Sequence, residues 1–348
     1  MDSVLIIGQG IAGSVLSLSL HIAGIPFVVV DDGHKTSSSI VAAGLYNAMA
    51  YKRGNLAWRA HELFDGCETF YQKWEKEFKV KFLHRDGLHR RIHDAEEYNN
   101  WTARMADKNL APFIDKLVSS DLFSDSFDLP QGLCKVRGGW LDVPLFLETT
   151  KDFLTERASY LEAKIDLSKL ESREGKWNWN GRLFSKVILC TGYRSAYDDR
   201  FFSGLPFSLA KGHTLILKVP GAELDEVINA NVFVIPLGDD LYRIGSTFSW
   251  VNLNEEVEEK EVEKLEKEFQ RLCSLPYEII EKMAGVRPTV QDQKPLIGES
   301  KENRGVWHFG GFGSRAVLYC PVLAESFIER LEKRSPEDTE TSVDRKRL

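Results

Sequence analysis

Three glycines, Gly8, Gly10 and Gly13, followed by an acid at Asp31, have the types and spacing that hold a dinucleotide. Gly8 lets the chain turn sharply after an apolar run, and Gly10 removes a side chain where a pyrophosphate must approach. Gly13 lets the helix that begins at Ile11 and Ala12 pack closely on a strand. Asp31 ends a second β-branched run eighteen residues after Gly13, where a carboxylate accepts hydrogen bonds from an adenosine ribose. Asp32 lies one step past that run, and the sequence does not separate the two acids. Glycines alone also mark ordinary turns. Here strand, glycines, helix, second strand and acid follow in order, and that context makes the stretch a dinucleotide site.

A second group of chemistry-bearing residues comes late. Ala284-Gly285-Val286-Arg287-Pro288 and His308-Phe309-Gly310-Gly311-Phe312-Gly313-Ser314-Arg315 both join glycine to arginine. A glycine-rich loop that opens a helix offers backbone N–H groups and a positive helix terminus to an electron-rich group. Arginine suits bidentate recognition of a carboxylate, although a salt bridge is the commoner fate of either side chain.

Metal and nucleophilic chemistry are poorly signalled. On a helix His89 and His93 would share a face and suggest a metal, but residues 80–93 alternate around Asp86-Gly87 and read as a hairpin, a solvated basic ribbon. No HExxH is present, and Cys67, Cys134, Cys190, Cys273 and Cys320 are scattered without a CxxC pair, as reduced thiols of a cytoplasmic protein would be. The 45 basic and 52 acidic residues leave a net charge of −7, which disfavours general binding to nucleic acid or an anionic membrane. No apolar run reaches membrane-spanning length, and the N-terminus enters the first strand with no room for a cleavable signal.

The elements that must position these residues are legible in outline. Residues 4–7 are a strand buried on both faces, and 11–23 form a helix apolar almost all round, stopped at Gly24. Helices are expected over 57–78 and 145–158, and strands over 160–170, 176–179 and 187–190, the last running into Thr191-Gly192. A second strand-rich group covers 214–219, 231–235 and 241–246, with Asp239-Asp240 as a hairpin turn, and Asn254 is expected to cap the next helix. Trp177 and Trp179 alternate as sheet packing does, and residues 335–348 are expected to be disordered.

With Ala42-Ala43-Gly44-Leu45, Gly138-Gly139-Trp140, Leu189-Cys190-Thr191-Gly192, Lys211-Gly212 and Ile244-Gly245-Ser246-Thr247 added, eight motifs occur in one order. In that order the chain resembles the D-amino-acid oxidase/glycine oxidase family of FAD-dependent oxidoreductases, over residues 4 to about 331. The last loop also resembles the oxidase half of the bifunctional enzyme that modifies tRNA wobble uridine. The resemblance implies an α/β fold: a doubly wound, Rossmann-type FAD domain from residues 1–78, 138–205 and 284–334, with a mixed-sheet substrate domain inserted as 79–137 and 206–283. It places the pyrophosphate on Gly8 to Gly13, and the ribose on Asp31. It brings Ala43, Gly44, Gly311, Phe312, Gly313 and Ser314 to the flavin, with Ile165, Thr191 and Gly192 also at the cofactor. Arg287 matches the arginine that pairs with a substrate carboxylate, and Arg315 and Phe233 join it at the reaction end. Thr289, Val290 and Gln291 follow the Arg-Pro pair without a cysteine, which implies non-covalent FAD.

One departure stands out. The D-amino-acid oxidases carry tyrosines around the strand that here reads Asn231-Val232-Phe233-Val234-Ile235-Pro236, and Phe233 cannot hydrogen-bond a carboxylate. Tyr46, Asn47, Tyr242 and Trp250 are further pocket candidates. The expected activity is oxidation of a C–N bond in a small amino acid or amine, with the flavin doing the chemistry and no side-chain base. The alternatives are oxidation of a tRNA wobble group and a flavin-binding protein without catalysis. The sequence assigns neither the substrate, the electron acceptor nor the oligomeric state.

Overall fold

The structure is a computed structural model that describes residues 3–33, 37–50, 54–85, 87–119, 126–129 and 131–345. A six-stranded sheet is ordered Tyr160–Glu162, Phe27–Asp31, Val4–Ile7, Lys186–Leu189, Val306–Gly310 and Leu296–Glu299. All neighbours are parallel except the last pair. Val4–Ile7 lies in the middle, each residue buried, because its unbroken apolar run suits a position covered on both faces. The helix Ile11–Ile22 packs with Val143–Glu156 and Ala316–Leu331 on one face. The small serines within it (Ser14, Ser17 and Ser19) are buried, and each hydroxyl bonds a nearby main-chain carbonyl. The opposite face carries a three-stranded antiparallel sheet, Glu171–Arg173, Lys176–Trp179 and Arg182–Phe184, whose Trp177, Trp179 and Phe184 pack on Leu5, Val28, Val30 and Leu189.

A second sheet of eight strands is ordered Glu278–Arg287, Ala210–Lys218, Leu241–Gly245, Phe233–Gly238, Val227–Asn229, Leu88–Arg91, Leu133–Val136 and Ile114–Val118. It is antiparallel except where Val227–Asn229 meets Leu88–Arg91. Asp239 and Asp240 both take positive φ, 51° and 60°, as a two-residue hairpin turn requires. The helix Glu259–Gln270 lays Val262, Leu265 and Phe269 on this sheet against Leu215, Leu217 and Ile244. Ala210↔Arg287 pairing makes Arg287 the last residue of the edge strand, so the second sheet delivers it toward the first.

Several expectations are corrected. Leu83–His84 pairs with Gly138–Leu141, while Leu88–Arg91 joins the eight-stranded sheet, so residues 80–93 are not one hairpin; Asp86 lies outside the described residues. His89 is not solvated: it is 2% exposed with Nε2 3.1 Å from Glu226. The segment 160–170 is a strand only at Tyr160–Glu162 and turns through a short helix at Leu167–Lys169. Asn254 does not cap the helix, which starts at Glu259; its Oδ1 accepts from Lys211 Nζ at 2.7 Å instead. Residues 335–345 are not a free tail. Thr341 is fully buried, its carbonyl accepts from Ile297 N at 2.7 Å, and Arg345 pairs with Asp292 at 2.8 Å. This segment covers the outer strand Leu296–Glu299, the edge that would otherwise stay open.

Candidate functional site

At the C-terminal ends of the parallel strands the backbone is held close by missing side chains. A Cβ on Gly13 would lie 1.9 Å from the Gly8 carbonyl oxygen, and one on Gly8 2.5 Å from the Cys190 oxygen. Gly8 has φ +104°, a turn that side-chain-bearing residues resist. One on Gly44 would meet the Leu141 oxygen at 2.0 Å. Asp31 spans the glycine turn: its Oδ2 accepts from Gln9 N and its Oδ1 from Gly33 N, each at 2.8 Å. Ser39 Oγ accepts from Ile11 N at 3.1 Å, at the N-terminus of the helix Ile11–Ile22. That helix begins without an acid in its first turn, so its positive end is open to an anion.

Gly8, Ile11, Asp31, Ser39, Gly44 and Cys190 line a cavity of about 560 Å³, a size common for cofactor sites. The same cavity is lined by Arg287, Phe233, Phe248, Asn229, Thr214, Asn47, Met49 and Arg315. Arg287 lies flat on Gly212, where a Cβ would sit 2.0 Å from its Nη2. Its other face meets the Phe248 ring, with Cζ 4.1 Å from the centroid. Nη2 donates to the Thr247 carbonyl at 3.2 Å, and Nη1 is buried without a partner among the described residues. Burial pushes the guanidinium down to about 10. Arg315 reaches across the cavity wall, Nη1 to the Asn47 carbonyl at 3.3 Å and Nη2 to that of Met49 at 3.4 Å. Among the described residues neither arginine is paired with a carboxylate, and the acids lining the cavity are Asp31 and Asp32 beside the glycine turn. A half-buried cation with one buried nitrogen wholly unpartnered and no acid facing it is arranged for an anionic ligand.

Every residue singled out from the sequence for cofactor or reaction lines this cavity except Gly13. That is, Gly8, Gly10, Ile11, Ala12, Asp31, Asp32, Ala43, Gly44, Ile165, Thr191, Gly192, Gly311, Phe312, Gly313, Ser314, Phe233, Arg287 and Arg315 share one wall system. Gly13 instead lets the helix touch the Gly8 turn. Of the further candidates Asn47 lines the cavity, but Tyr46 is buried with its hydroxyl on Glu68, Tyr242 bonds the Ala222 carbonyl, and Trp250 is 68% exposed. Phe233 stands over Gly245, whose Cβ would meet its ring at 2.6 Å. Sequence reasoning missed Ser39, Gly212, Thr247 and Phe248 as contributors. The Lys211-Gly212 and Gly245-Ser246-Thr247 motifs hinted at Gly212 and Thr247, whose roles depend on the second sheet, whereas Ser39 acts by its bond to Ile11 N across 28 residues. No group of three or more metal-ligating side chains occurs among the described residues, nor does a helix long and apolar enough to cross a membrane.

The cradle fits FAD: glycines admit a pyrophosphate at a helix N-terminus, Asp31 stands at the adjacent strand end, and the cavity continues to Arg287. The chain is 22% identical to the tRNA 5-methylaminomethyl-2-thiouridine biosynthesis bifunctional protein MnmC of Marinobacter nauticus, in a match covering 95% of its own length. It spans only 55% of that relative. Among solved structures it resembles glycine oxidase from Geobacillus kaustophilus, with a TM-score of 0.80, 17% identity and coverage of 97% of this chain and 96% of the other. It also resembles iminodiacetate oxidase from Chelativorans sp. BNC1, with a TM-score of 0.78, 17% identity and 96% coverage of both chains. Likeness at these identities concerns the fold, the mixed α/β architecture expected above. Residues 3–330 match the DAO family, FAD dependent oxidoreductase. The chain therefore belongs to the DAO family of FAD-dependent oxidoreductases.

Proposed function

We propose that the protein oxidises the C–N bond of a small amino acid or other amine bearing a carboxylate, with FAD held non-covalently. The observation that carries this reading is Arg287, a half-buried guanidinium lining the cavity whose buried Nη1 has no partner, and which has no acid beside it, among the described residues. A carboxylate placed there gains a charge-assisted bond and relieves an uncompensated charge at once. Gly8, Gly10 and the helix start at Ile11 would hold the pyrophosphate, and Asp31 the ribose. Gly44 and the Gly311–Ser314 turn border the remainder of the cofactor's path. FAD, when bound, supplies the acceptor for the substrate's electron pair.

The chain's own part is to bind and orient. Arg287 anchors the carboxylate, which fixes the neighbouring carbon, and such positioning is a large share of rate enhancement. Among the described residues the lining holds no histidine and, beside Arg287, no acid to serve as counter-ion for a protonated amine. A nearby guanidinium disfavours the ammonium form further, so the substrate is held as the neutral amine whose lone pair the oxidation needs. Phe233, 7% exposed in total, closes one wall with an apolar ring. Cys190 lines the cavity, but burial raises its thiol above the ordinary range and keeps it a poor nucleophile, which supports non-covalent attachment.

The test is anaerobic bleaching of the flavin by glycine, N-methylglycine, proline and iminodiacetate beside ethylamine, which lacks the carboxylate. Reduction by at least one amino acid and none by ethylamine is expected; no reduction by any of them overturns the proposal. The match to the tRNA-modifying relative along 95% of the chain supports a second reading, oxidation of a tRNA-borne group. Salt-sensitive tRNA binding would favour it, and the net charge of −7 speaks against it.

A further inference from the structure

Lys211 is wholly buried, which is rare for a lysine, and lies outside the cavity lining. It sits on the strand Ala210–Lys218 one residue from Gly212, the residue on which Arg287 rests. Alternation along a strand puts Lys211 and His213 on the face opposite Gly212. Both are tied to the segment 246–258, which carries Thr247 and Phe248. Lys211 N donates to the Ser249 carbonyl at 2.8 Å, and Ser249 N to the Lys211 carbonyl at 3.0 Å. Lys211 Nζ donates to Asn254 Oδ1 at 2.7 Å and stands 3.2 Å from Glu258. Glu258 N donates to His213 Nε2 at 3.2 Å, so the neutral ring carries its proton on Nδ1, 2.9 Å from Thr247 Oγ1. His213 N also donates to that hydroxyl, at 3.0 Å.

From this arrangement we infer that Lys211 and His213 are positioning residues for Arg287, acting through Thr247. The Thr247 carbonyl accepts from the guanidinium, and by taking Nη2 it leaves Nη1 as the buried nitrogen without a partner among the described residues. Phe248, the next residue, covers the guanidinium face. The segment is pinned at Thr247 by His213, at Ser249 by the Lys211 main chain, at Asn254 and Glu258 by the Lys211 side chain, and at Glu255 by Tyr193 and Arg194. A lysine buried here is costly, and the network uses its ammonium to lock two distant points of one loop. Gly212 serves the same end from the other face, since any side chain there would displace the guanidinium.

The inference rests on the carboxylate reading of Arg287, and its test separates the two. Methoxyacetate and its uncharged counterpart methoxyacetamide are titrated into the FAD-loaded protein, and the flavin absorbance change gives each affinity. Wild type should prefer the carboxylate. Thr247→Val and His213→Leu should each weaken methoxyacetate binding about tenfold or more, with methoxyacetamide changed less than about twofold and FAD content retained. His213→Asn, whose Nδ2–H replaces the donor to Thr247, should restore most of the lost affinity. Lys211→Met should behave like His213→Leu. If His213→Leu fails to fold, Thr247→Val, which exchanges the hydroxyl for a methyl of similar size and so removes the acceptor for His213, carries the test. Equal weakening of both ligands, or wild-type carboxylate affinity in Thr247→Val, overturns the inference. No preference for the carboxylate in wild type overturns the reading beneath it.

Discussion

Replacing Arg287 by methionine should move stability and ligand recognition in opposite directions. Burial lowers the guanidinium from 12.5 to about 10, which corresponds to about 3 kcal/mol against the charged, ligand-free fold. The folded value lies below the unfolded one, so this cost is present in full below about pH 10 and fades only as pH rises toward 12.5. Methionine forfeits the bond to the Thr247 carbonyl, about 1 kcal/mol, and the contact with the Phe248 ring, about 0.5–1 kcal/mol. Its flexible thioether refills most of the volume. The balance is a gain of about 1 kcal/mol, or about 1–2 °C in the melting temperature of the ligand-free, FAD-loaded protein of 348 residues. Carboxylate affinity should fall by about 2–5 kcal/mol, at least about 30-fold. Thermal scanning and anaerobic carboxylate titration of the same preparation read both quantities. A melting temperature several degrees below wild type would refute the uncompensated charge, and an unchanged affinity would refute the carboxylate partner.

Other perturbations test separate parts of the structure. Gly13→Ala puts a Cβ 1.9 Å from a main-chain oxygen that no rotamer can relieve, so the protein should purify colourless or unfolded, as absorbance at the flavin band will show. Asp31→Ala strands the N–H groups of Gln9 and Gly33 and should raise the dissociation constant for FAD about tenfold or more, against less than about threefold for Asp32→Ala; the reverse order would assign the ribose to Asp32. Lys294 and Arg59 hold the Glu340 carboxyl at about 2, below its ordinary 4.5. Their contribution is present above pH 4.5 and lost as pH falls toward 2, so limited proteolysis with an acid protease should cut residues 335–345 increasingly over that window. Glu340→Gln should be cut already at neutral pH by a neutral protease, and equal resistance would remove that carboxylate from the docking of this segment.

What could be read along the chain was what depends on neighbours in sequence. The turn from Val4–Ile7 through Gly8 into Ile11–Ile22 is local, because each glycine's role follows from its offset to the strand and helix beside it. The same holds for the Asp239-Asp240 turn and the amphipathic helix Ala60–Phe78. Errors arose where partners are distant. Leu83–His84 and Leu88–Arg91 look like two arms of one hairpin, yet one pairs with residues 138–141 and the other with 133–136 and 227–229. Residues 335–345 have a composition that cannot form its own core, and they are ordered by Arg59, Asp292, Lys294 and the edge strand Leu296–Glu299.

The sequence by itself determined the glycine turn between Val4–Ile7 and Ile11–Ile22 and marked Arg287 and Arg315 as the cations to follow, since residue type and spacing suffice to shape a turn and to supply a charge. Only the tertiary structure decided what those charges face. Pairing of Ala210–Lys218 with Glu278–Arg287 lays the guanidinium on Gly212, and the segment after Leu241–Gly245 brings Thr247 and Phe248 over it. Whether a guanidinium is a surface ion pair or an open donor in a cavity depends on its solvation and its partners, and both are properties of chain segments that meet only when the two sheets assemble.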